Sequence, residues 1–256
     1  LMYDAFGWER PVYIHLPPIM KDAQHKLSKR NGDASYEDFV KKGYYKEAIV
    51  NYIALLGWSP KSNVEKMNLS ELIENFSLDG ISKSPSIFDE TKMKWLSGEY
   101  IKAISNEEFK TLAMPFLKQS KVFGKYDTEK LLALVRTRVQ IFSEIAEKLD
   151  FLEEFEKFDV NLFVNEKQKA STELAKEILP KIIETLNDVK DWQNGTLFST
   201  LVELSNALGI KKQALLWIAR IAITGFASTA GGATEIAELL GKEETIRRLS
   251  FSLNLL

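Results

Sequence analysis

Apolar residues recur every three or four positions along most of the chain, which is the spacing of an amphipathic α-helix. The longest stripe of this kind predicts one continuous helix that begins at Thr128. Its members are Leu132, Val135, Val139, Phe142, Ala146 and Leu149. Because similar stripes follow as far as the C-terminus, the pattern predicts a mainly α-helical fold after an irregular head of residues 1–33.

Two polar segments divide the chain into three expected parts. Ser59-Pro60-Lys61-Ser62-Asn63 is rich in turn residues and marks a boundary near residue 60. A softer boundary follows the acidic end of a predicted helix, near residues 161–169. We therefore expect parts at 1–60, 61–165 and 166–256.

Composition excludes several classes of protein and of site. With 45% hydrophobic and 27% charged residues, the chain has the profile of a globular protein. The absence of cysteine and the presence of only two histidines exclude thiolate zinc sites and three-histidine metal sites. A long apolar run and a secretory signal pattern are both missing. The first residue is Leu rather than Met, so we expect the chain to be a piece of a longer protein.

One basic stretch, Lys26-Leu27-Ser28-Lys29-Arg30, precedes the turn residues Asn31-Gly32-Asp33. Lysine ammonium groups, a serine hydroxyl and loop amides can together surround a polyanion. On these five residues alone, a solvated basic loop is the favoured interpretation.

The stretch resembles the second signature of class I aminoacyl-tRNA synthetases in the form found in bacterial glutamyl-tRNA synthetases. Leu27 and Arg30 stand where the general signature has Met and Ser. Strings similar to that family occur in order along nearly the whole chain. They include Asn51-Tyr-Ile-Ala-Leu-Leu-Gly-Trp-Ser-Pro60, Trp95-Leu-Ser-Gly-Glu-Tyr-Ile101 and Arg220-Ile-Ala-Ile-Thr-Gly225.

The resemblance implies an architecture and an activity. Residues 1–60 would hold the end of the catalytic core and a stem-contact element, followed by two helical anticodon-binding subdomains at 61–165 and 166–256. The intact enzyme would join glutamate to ATP, with Mg²⁺, and transfer it to tRNA(Glu). Lys26, Ser28 and Lys29 would be catalytic, with Lys29 on the ATP phosphates. Leu27 would either lie near the adenine or only anchor the loop. The family's His-Ile-Gly-His type signature is missing here, so we expect the fragment to bind tRNA without catalysis and to carry no zinc.

Charge suggests where RNA would bind. Lys118, Lys121, Lys125, Lys130, Arg136 and Arg138 give a basic segment, and an acidic segment follows it. On the predicted continuous helix, Arg136 and Gln140 share a face. The resemblance makes Arg136, Arg138 and Gln140 candidate readers of anticodon bases. Arg220, a lone charge in an apolar helix, is either an RNA contact or a buried partner of an acid.

Two other functions remain open. One is a stand-alone tRNA-binding module derived from a synthetase, and the other is a glutaminyl-type synthetase. The latter is disfavoured, because that branch has β-barrel anticodon domains whereas this sequence predicts helices throughout. The family also implies a cytoplasmic monomer without a membrane segment, with tRNA(Gln) as a possible additional partner.

Overall fold

The computed structural model describes residues 1–28, 35–153, 155 and 157–256. In these ranges the chain is mainly α-helical, which confirms the predicted fold class. Contacts divide it into two compact units, residues 1–100 and residues 101–256. The finer division into three parts stays a prediction.

Unit 1 combines short helices with one small sheet. In chain order, its elements are α1 (Met2–Ala5), β1 (Ile19–Met20), α2 (Tyr36–Lys41), α3 (Lys46–Leu55), α4 (Leu69–Asn75), a 3₁₀ turn (Leu78–Gly80), β2 (Ser86–Ile87) and α5 (Glu90–Ala103). The strands β1 and β2 pair in parallel, with Ile19 opposite Ser86. Helix α2 begins at a capping box, since the backbone N–H of Ser35 donates to Asp38 Oδ2 at 2.9 Å and Ser35 Oγ accepts from the backbone N–H of Asp38.

A buried polar residue organises the core of unit 1. Asn51 of α3 is fully buried, and its Oδ1 accepts hydrogen bonds from the backbone N–H of Met67 and from the hydroxyl of Tyr100, both at 2.9 Å. Burial raises the pKa of Tyr100 to about 12, so its hydroxyl stays protonated as a donor. The apolar side chains of Ile49 and Leu96 complete this core.

Unit 2 is a helical assembly. After the end of α5, its elements are α6 (Asn106–Leu117), α7 (Thr128–Arg136), α8 (Glu144–Leu149), 3₁₀ turns at Asp150–Leu152 and Val160–Phe163, α9 (Thr172–Asp188), α10 (Asn194–Ala207), α11 (Lys212–Thr224), α12 (Ala233–Leu240) and α13 (Lys242–Leu255). Helix α11 packs against α9, α10, α12 and α13. Its near-continuous apolar sequence is explained by this position, because helices surround it on several sides.

The single long helix predicted from Thr128 is wrong. Helix α7 ends at Arg136, turns follow, and α8 begins at Glu144. Val139 and Phe142 are nevertheless buried as the stripe predicted. Two short helices joined by turns satisfy the same apolar spacing, and the β-branched side chains at 137 and 139 weaken helix propagation at the break.

A buried arginine holds two parts of unit 2 together. Arg248 of α13 is 2% exposed and donates to the carbonyls of Leu152 and Ile223, both at 3.1 Å. Its Nε donates to Glu244 at 2.7 Å, and its guanidinium lies 4.9 Å from the ring centre of Phe155. The arginine therefore satisfies carbonyls at the end of α11 and in the 3₁₀ turn before residue 153.

Candidate nucleic-acid interface

Arg138 is positioned by the turn that ends α7. Its backbone N–H donates to the carbonyl of Val135 at 2.9 Å, which closes the turn. Its guanidinium donates through Nη1 to the carbonyl of Leu134 at 2.7 Å and through Nη2 to Glu235 Oε2 at 3.1 Å. The side chain remains 34% exposed, so the fixed guanidinium still faces solvent.

Glu235 lies in the first turn of α12, where its carboxylate also caps the helix. The backbone N–H of Gly232 donates to Glu235 Oε2 at 2.6 Å. The preceding Gly231 has φ +113°, and a Cβ there would meet Leu134 Cδ1 at 2.5 Å. Only glycine therefore lets this loop pack on α7, and that packing brings Glu235 to Arg138.

Arg220 of α11 completes a cluster with these two residues. Its side chain is half-buried, and its Nε is buried without a hydrogen-bond partner in the described part of the chain. Desolvation, followed by the nearby charge of Arg138, lowers the pKa of Arg220, whereas Glu235 raises it. Two guanidinium groups and one carboxylate leave the Arg138–Glu235–Arg220 cluster with a net positive charge.

A cavity of about 400 Å³ opens beside this cluster. Arg220 and Glu235 line it together with two aromatic side chains, Trp217 and Phe198. The remaining polar lining comes from Gln168, Asn194, Gln213 and Thr234. Trp217 is held in place because its Nε1–H donates to the carbonyl of Leu162 at 3.1 Å.

A second cavity, of about 760 Å³, is lined by Arg138. Lys148 and the exposed ring of Phe226 also line it, as do Glu147 and Asp150. Flat rings, cationic donors and amide groups are the side chains that proteins use to hold unstacked RNA bases. The first cavity offers all three kinds of side chain and is lined by Glu235, and the second offers rings and cations and is lined by Arg138, the partner of Glu235 in the ion pair.

The structure places the other anticodon candidates differently. Arg136 is half-buried, donates through Nη2 to the carbonyl of Ile104 and lies 5.7 Å from the ring centre of Phe109. Gln140 is exposed in the turns after α7. The expected helical face shared by Arg136 and Gln140 does not exist, because α7 ends at Arg136. Of the four sequence candidates, Arg138 and Arg220 are the two brought together.

The basic segment is partly neutralised by acids of unit 2. Lys121 and Lys125 lie 3.1 Å and 3.9 Å from carboxylate oxygens of Glu153, which belongs to the following acidic segment. Lys130 pairs with Glu238 at 2.8 Å. The expected separation into a phosphate-facing basic stretch and a solvated acidic one is therefore incomplete.

In unit 1 the structure describes the basic loop as far as Ser28. Leu27 donates its backbone N–H to the carbonyl of Ile19 at 3.0 Å, beside β1, and Lys26 is exposed. Just upstream, Asp22 Oδ1 accepts from the backbone N–H groups of Gln24 and His25 at 2.8 and 2.9 Å, which fixes the turn. Lys29, the predicted phosphate contact, lies outside the described residues.

Glu235 was missed by the sequence reasoning, although its spacing from Gly232 is that of a helix-capping acid at the third helical position.

Across the described ranges, no helix is long and apolar enough to cross a membrane. Over the same residues, no three His, Cys, Asp or Glu side chains are placed to hold a metal ion.

Comparison with known proteins agrees with this layout. Residues 1–95 match the family model described as the catalytic domain of class I tRNA synthetases (E and Q). Residues 108–253 match the model described as an anticodon binding domain. The second match contains the Arg138–Glu235–Arg220 cluster and both cavities.

Two curated relatives carry the same name. The chain is 47% identical to a glutamate–tRNA ligase of Clostridium botulinum (strain Eklund 17B / Type B), with 100% of this chain and 53% of that protein covered. It is 46% identical to the glutamate–tRNA ligase of Clostridium tetani, with 98% of this chain and 51% of that protein covered. The chain thus spans about half the length of these relatives.

Among solved structures, a glutamate tRNA ligase from Elizabethkingia meningosepticum superposes with a TM-score of 0.79 at 26% identity, covering 99% of this chain and 53% of that one. This likeness supports the mainly helical architecture of the described residues. Since the anticodon-binding model matches more than half of its residues, the chain belongs to the family of anticodon-binding domains.

Proposed function

We propose that this chain is the tRNA-binding part of a cytoplasmic glutamate–tRNA ligase and that unit 2 recognises the anticodon loop. One observation carries the proposal: Arg138 and Arg220, from separate helical regions, lie near Glu235 beside an aromatic-lined cavity, and the Nε of Arg220 has no hydrogen-bond partner among the described residues. An unstacked base entering the cavity would supply acceptors to Arg220 and a face to Trp217 or Phe198.

The partner follows from the relatives. Those proteins are named glutamate–tRNA ligases, so tRNA(Glu) is the proposed RNA. The helical unit 2 favours this assignment over a glutaminyl-type enzyme with a β-barrel. Whether tRNA(Gln) also binds depends on how strictly the cavity discriminates among bases.

The catalytic contribution of unit 1 is proposed from its match to the class I catalytic-domain model. In the whole ligase, ATP with its Mg²⁺ would approach the loop that begins at Lys26. Lys26, Ser28 and Lys29 would stabilise negative charge on the departing pyrophosphate, and Leu27 would lie near the adenine. The turn at Asp22 and the bond from Leu27 to Ile19 support the proposal, because they position the start of the loop.

The proposed function is tested by tRNA titrations of the chain and two variants, Arg220→Gln and Arg138→Gln. Each should weaken tRNA(Glu) by about 1–3 kcal/mol, the range of a lost base contact. Arg247→Gln is the matched control, because it removes an exposed arginine from the same unit. If all three variants lose affinity equally, the cavity is not the binding site.

A further inference from the structure

We propose that Glu235 is a specificity residue that keeps the RNA phosphate backbone out of the cavity lined by Arg220 and Trp217 and leaves that cavity to an uncharged base edge. This inference rests on the proposed tRNA binding by unit 2. It assigns a role to an acidic side chain that at first sight opposes RNA binding.

The carboxylate of Glu235 belongs to the lining of the cavity and is held in place by two hydrogen bonds. Glu235 Oε2 accepts from the backbone N–H of Gly232 at 2.6 Å and from Arg138 Nη2 at 3.1 Å. Gly231 packs against Leu134, so the loop that carries these groups cannot withdraw without losing that contact. The side chain is still 40% exposed, which leaves the carboxylate facing an incoming ligand.

Charge explains what the carboxylate selects. Two guanidinium groups alone would attract any phosphate, and contacts to phosphate carry no sequence information. A fixed carboxylate beside them repels a phosphate, because like charges brought together disfavour the wrong partner. A base edge is uncharged, accepts hydrogen bonds from Arg220 and can donate to the carboxylate. The carboxylate thus lowers the affinity for RNA of any sequence and increases the difference in affinity between bases.

The test compares wild type, Glu235→Gln and Glu235→Asp in titrations with tRNA(Glu) and with a tRNA of unrelated anticodon sequence, over a series of salt concentrations. The glutamine variant preserves the acceptor for Gly232 and removes only the charge. We expect it to bind the unrelated tRNA roughly two- to fivefold more tightly, as for one partly exposed charge interaction. The slope of log affinity against log salt should steepen by about 0.7–0.9. The affinity for tRNA(Glu) should change less, so the ratio between the two tRNAs falls.

The aspartate variant keeps the charge and should keep the selectivity and salt slope of wild type. Glu177→Gln is the control for a lost exposed carboxylate on α9. The proposal is overturned if Glu235→Gln weakens tRNA(Glu) more than the unrelated tRNA, which would indicate a purely positioning role, or if it changes neither affinity nor slope. Lost selectivity in a folded Glu235→Asp variant would overturn it as well. Failure of the wild-type chain to bind tRNA would instead reject the proposed function, and that is measured before any variant.

Discussion

Arg248 donates through Nη1 to the carbonyl of Ile223 at 3.1 Å, one helical turn after Arg220. The bond joins α13 to the end of α11, where the left-handed Gly225, with φ +73°, caps the helix by donating its N–H to the carbonyl of Ile221. Since Arg248 also donates to the carbonyl of Leu152, it connects the helix that carries Arg220 to the 3₁₀ turn after α8. The buried side chain of Arg248 therefore fixes the helix that carries Arg220 to its neighbours.

Removing that cation should destabilise unit 2 strongly. Arg248→Met leaves the carbonyls of Leu152 and Ile223 without their donors and Glu244 without its buried partner. We expect a loss of about 3–5 kcal/mol in the free energy of unfolding, as for one side of a buried ion pair. Urea denaturation followed by helical circular dichroism measures it. Arg247→Met removes a more exposed arginine that also bonds Glu244 and should cost about 1 kcal/mol or less, and similar losses for both variants would contradict the role assigned to Arg248.

Glu244 predicts a dependence of stability on pH. Hydrogen bonds from Arg247, and then from Arg248, lower the pKa of Glu244 from 4.5 to about 2. A carboxylate whose pKa is lowered in the folded state stabilises the fold above its unfolded pKa and loses that contribution as pH falls toward the folded pKa. The two pKa values set the pH window. As the pH falls from about 5 to about 2, the stabilisation from Glu244 should decline by roughly 1–2 kcal/mol, after allowance for solvent screening.

The control for this effect is Glu244→Gln, which cannot titrate. Urea midpoints of wild type and variant should converge as the pH is lowered. A constant difference between them across the acidic range would show that the carboxylate charge of Glu244 is not the source of the stability.

Arg136 should contribute to folding rather than to the choice of tRNA. Its guanidinium is engaged with the carbonyl of Ile104 and the ring of Phe109. Arg136→Gln should therefore lower the free energy of unfolding by about 1–2 kcal/mol, from a charged hydrogen bond and a cation–π contact. Its relative affinities for tRNA(Glu) and anticodon variants should equal those of wild type. A base-specific loss in a fully stable variant would instead make Arg136 a reader of the anticodon.

Lys29 gives a prediction for the whole ligase. Because its charge would face the departing pyrophosphate, Lys29→Ala should slow ATP–pyrophosphate exchange by roughly 10²–10³. The affinity for tRNA should change little in the same variant, since the proposed RNA contacts lie in unit 2. Near-normal ATP–pyrophosphate exchange in Lys29→Ala would show that Lys29 does not take part in the activation step.

The sequence was sufficient for the fold class but not for the arrangement of the interface. Apolar spacing identified the buried faces of α7, α9 and α11, because burial follows periodicity whether or not a helix is continuous. It could not locate the break after Arg136, because helix propensity and the packing of the following turns determine where the helix ends. Nor could it pair Arg138 with Glu235, since 97 positions separate them and their meeting depends on Gly231 packing against Leu134.

For the candidate residues as well, the sequence identified residue types but not which of them lie close together. Residue type and resemblance singled out Arg138 and Arg220 as well as Arg136 and Gln140, and the chemistry of all four is compatible with RNA. Only the packing of α11, α12 and the turn after α7 separates the pair that shares a cluster from the two that do not. Glu235 was overlooked because a capping glutamate has no sequence feature that links it to a ligand.

Unit 2 of this chain is proposed to recognise an anticodon. The most direct measurement is a titration of the wild-type chain at physiological salt with tRNA(Glu) and with the same tRNA carrying a replaced anticodon triplet. Each mismatched base typically costs about 1–3 kcal/mol in nucleic-acid sites, so the altered tRNA should bind at least roughly tenfold more weakly. Equal affinity for the two tRNAs would contradict the account.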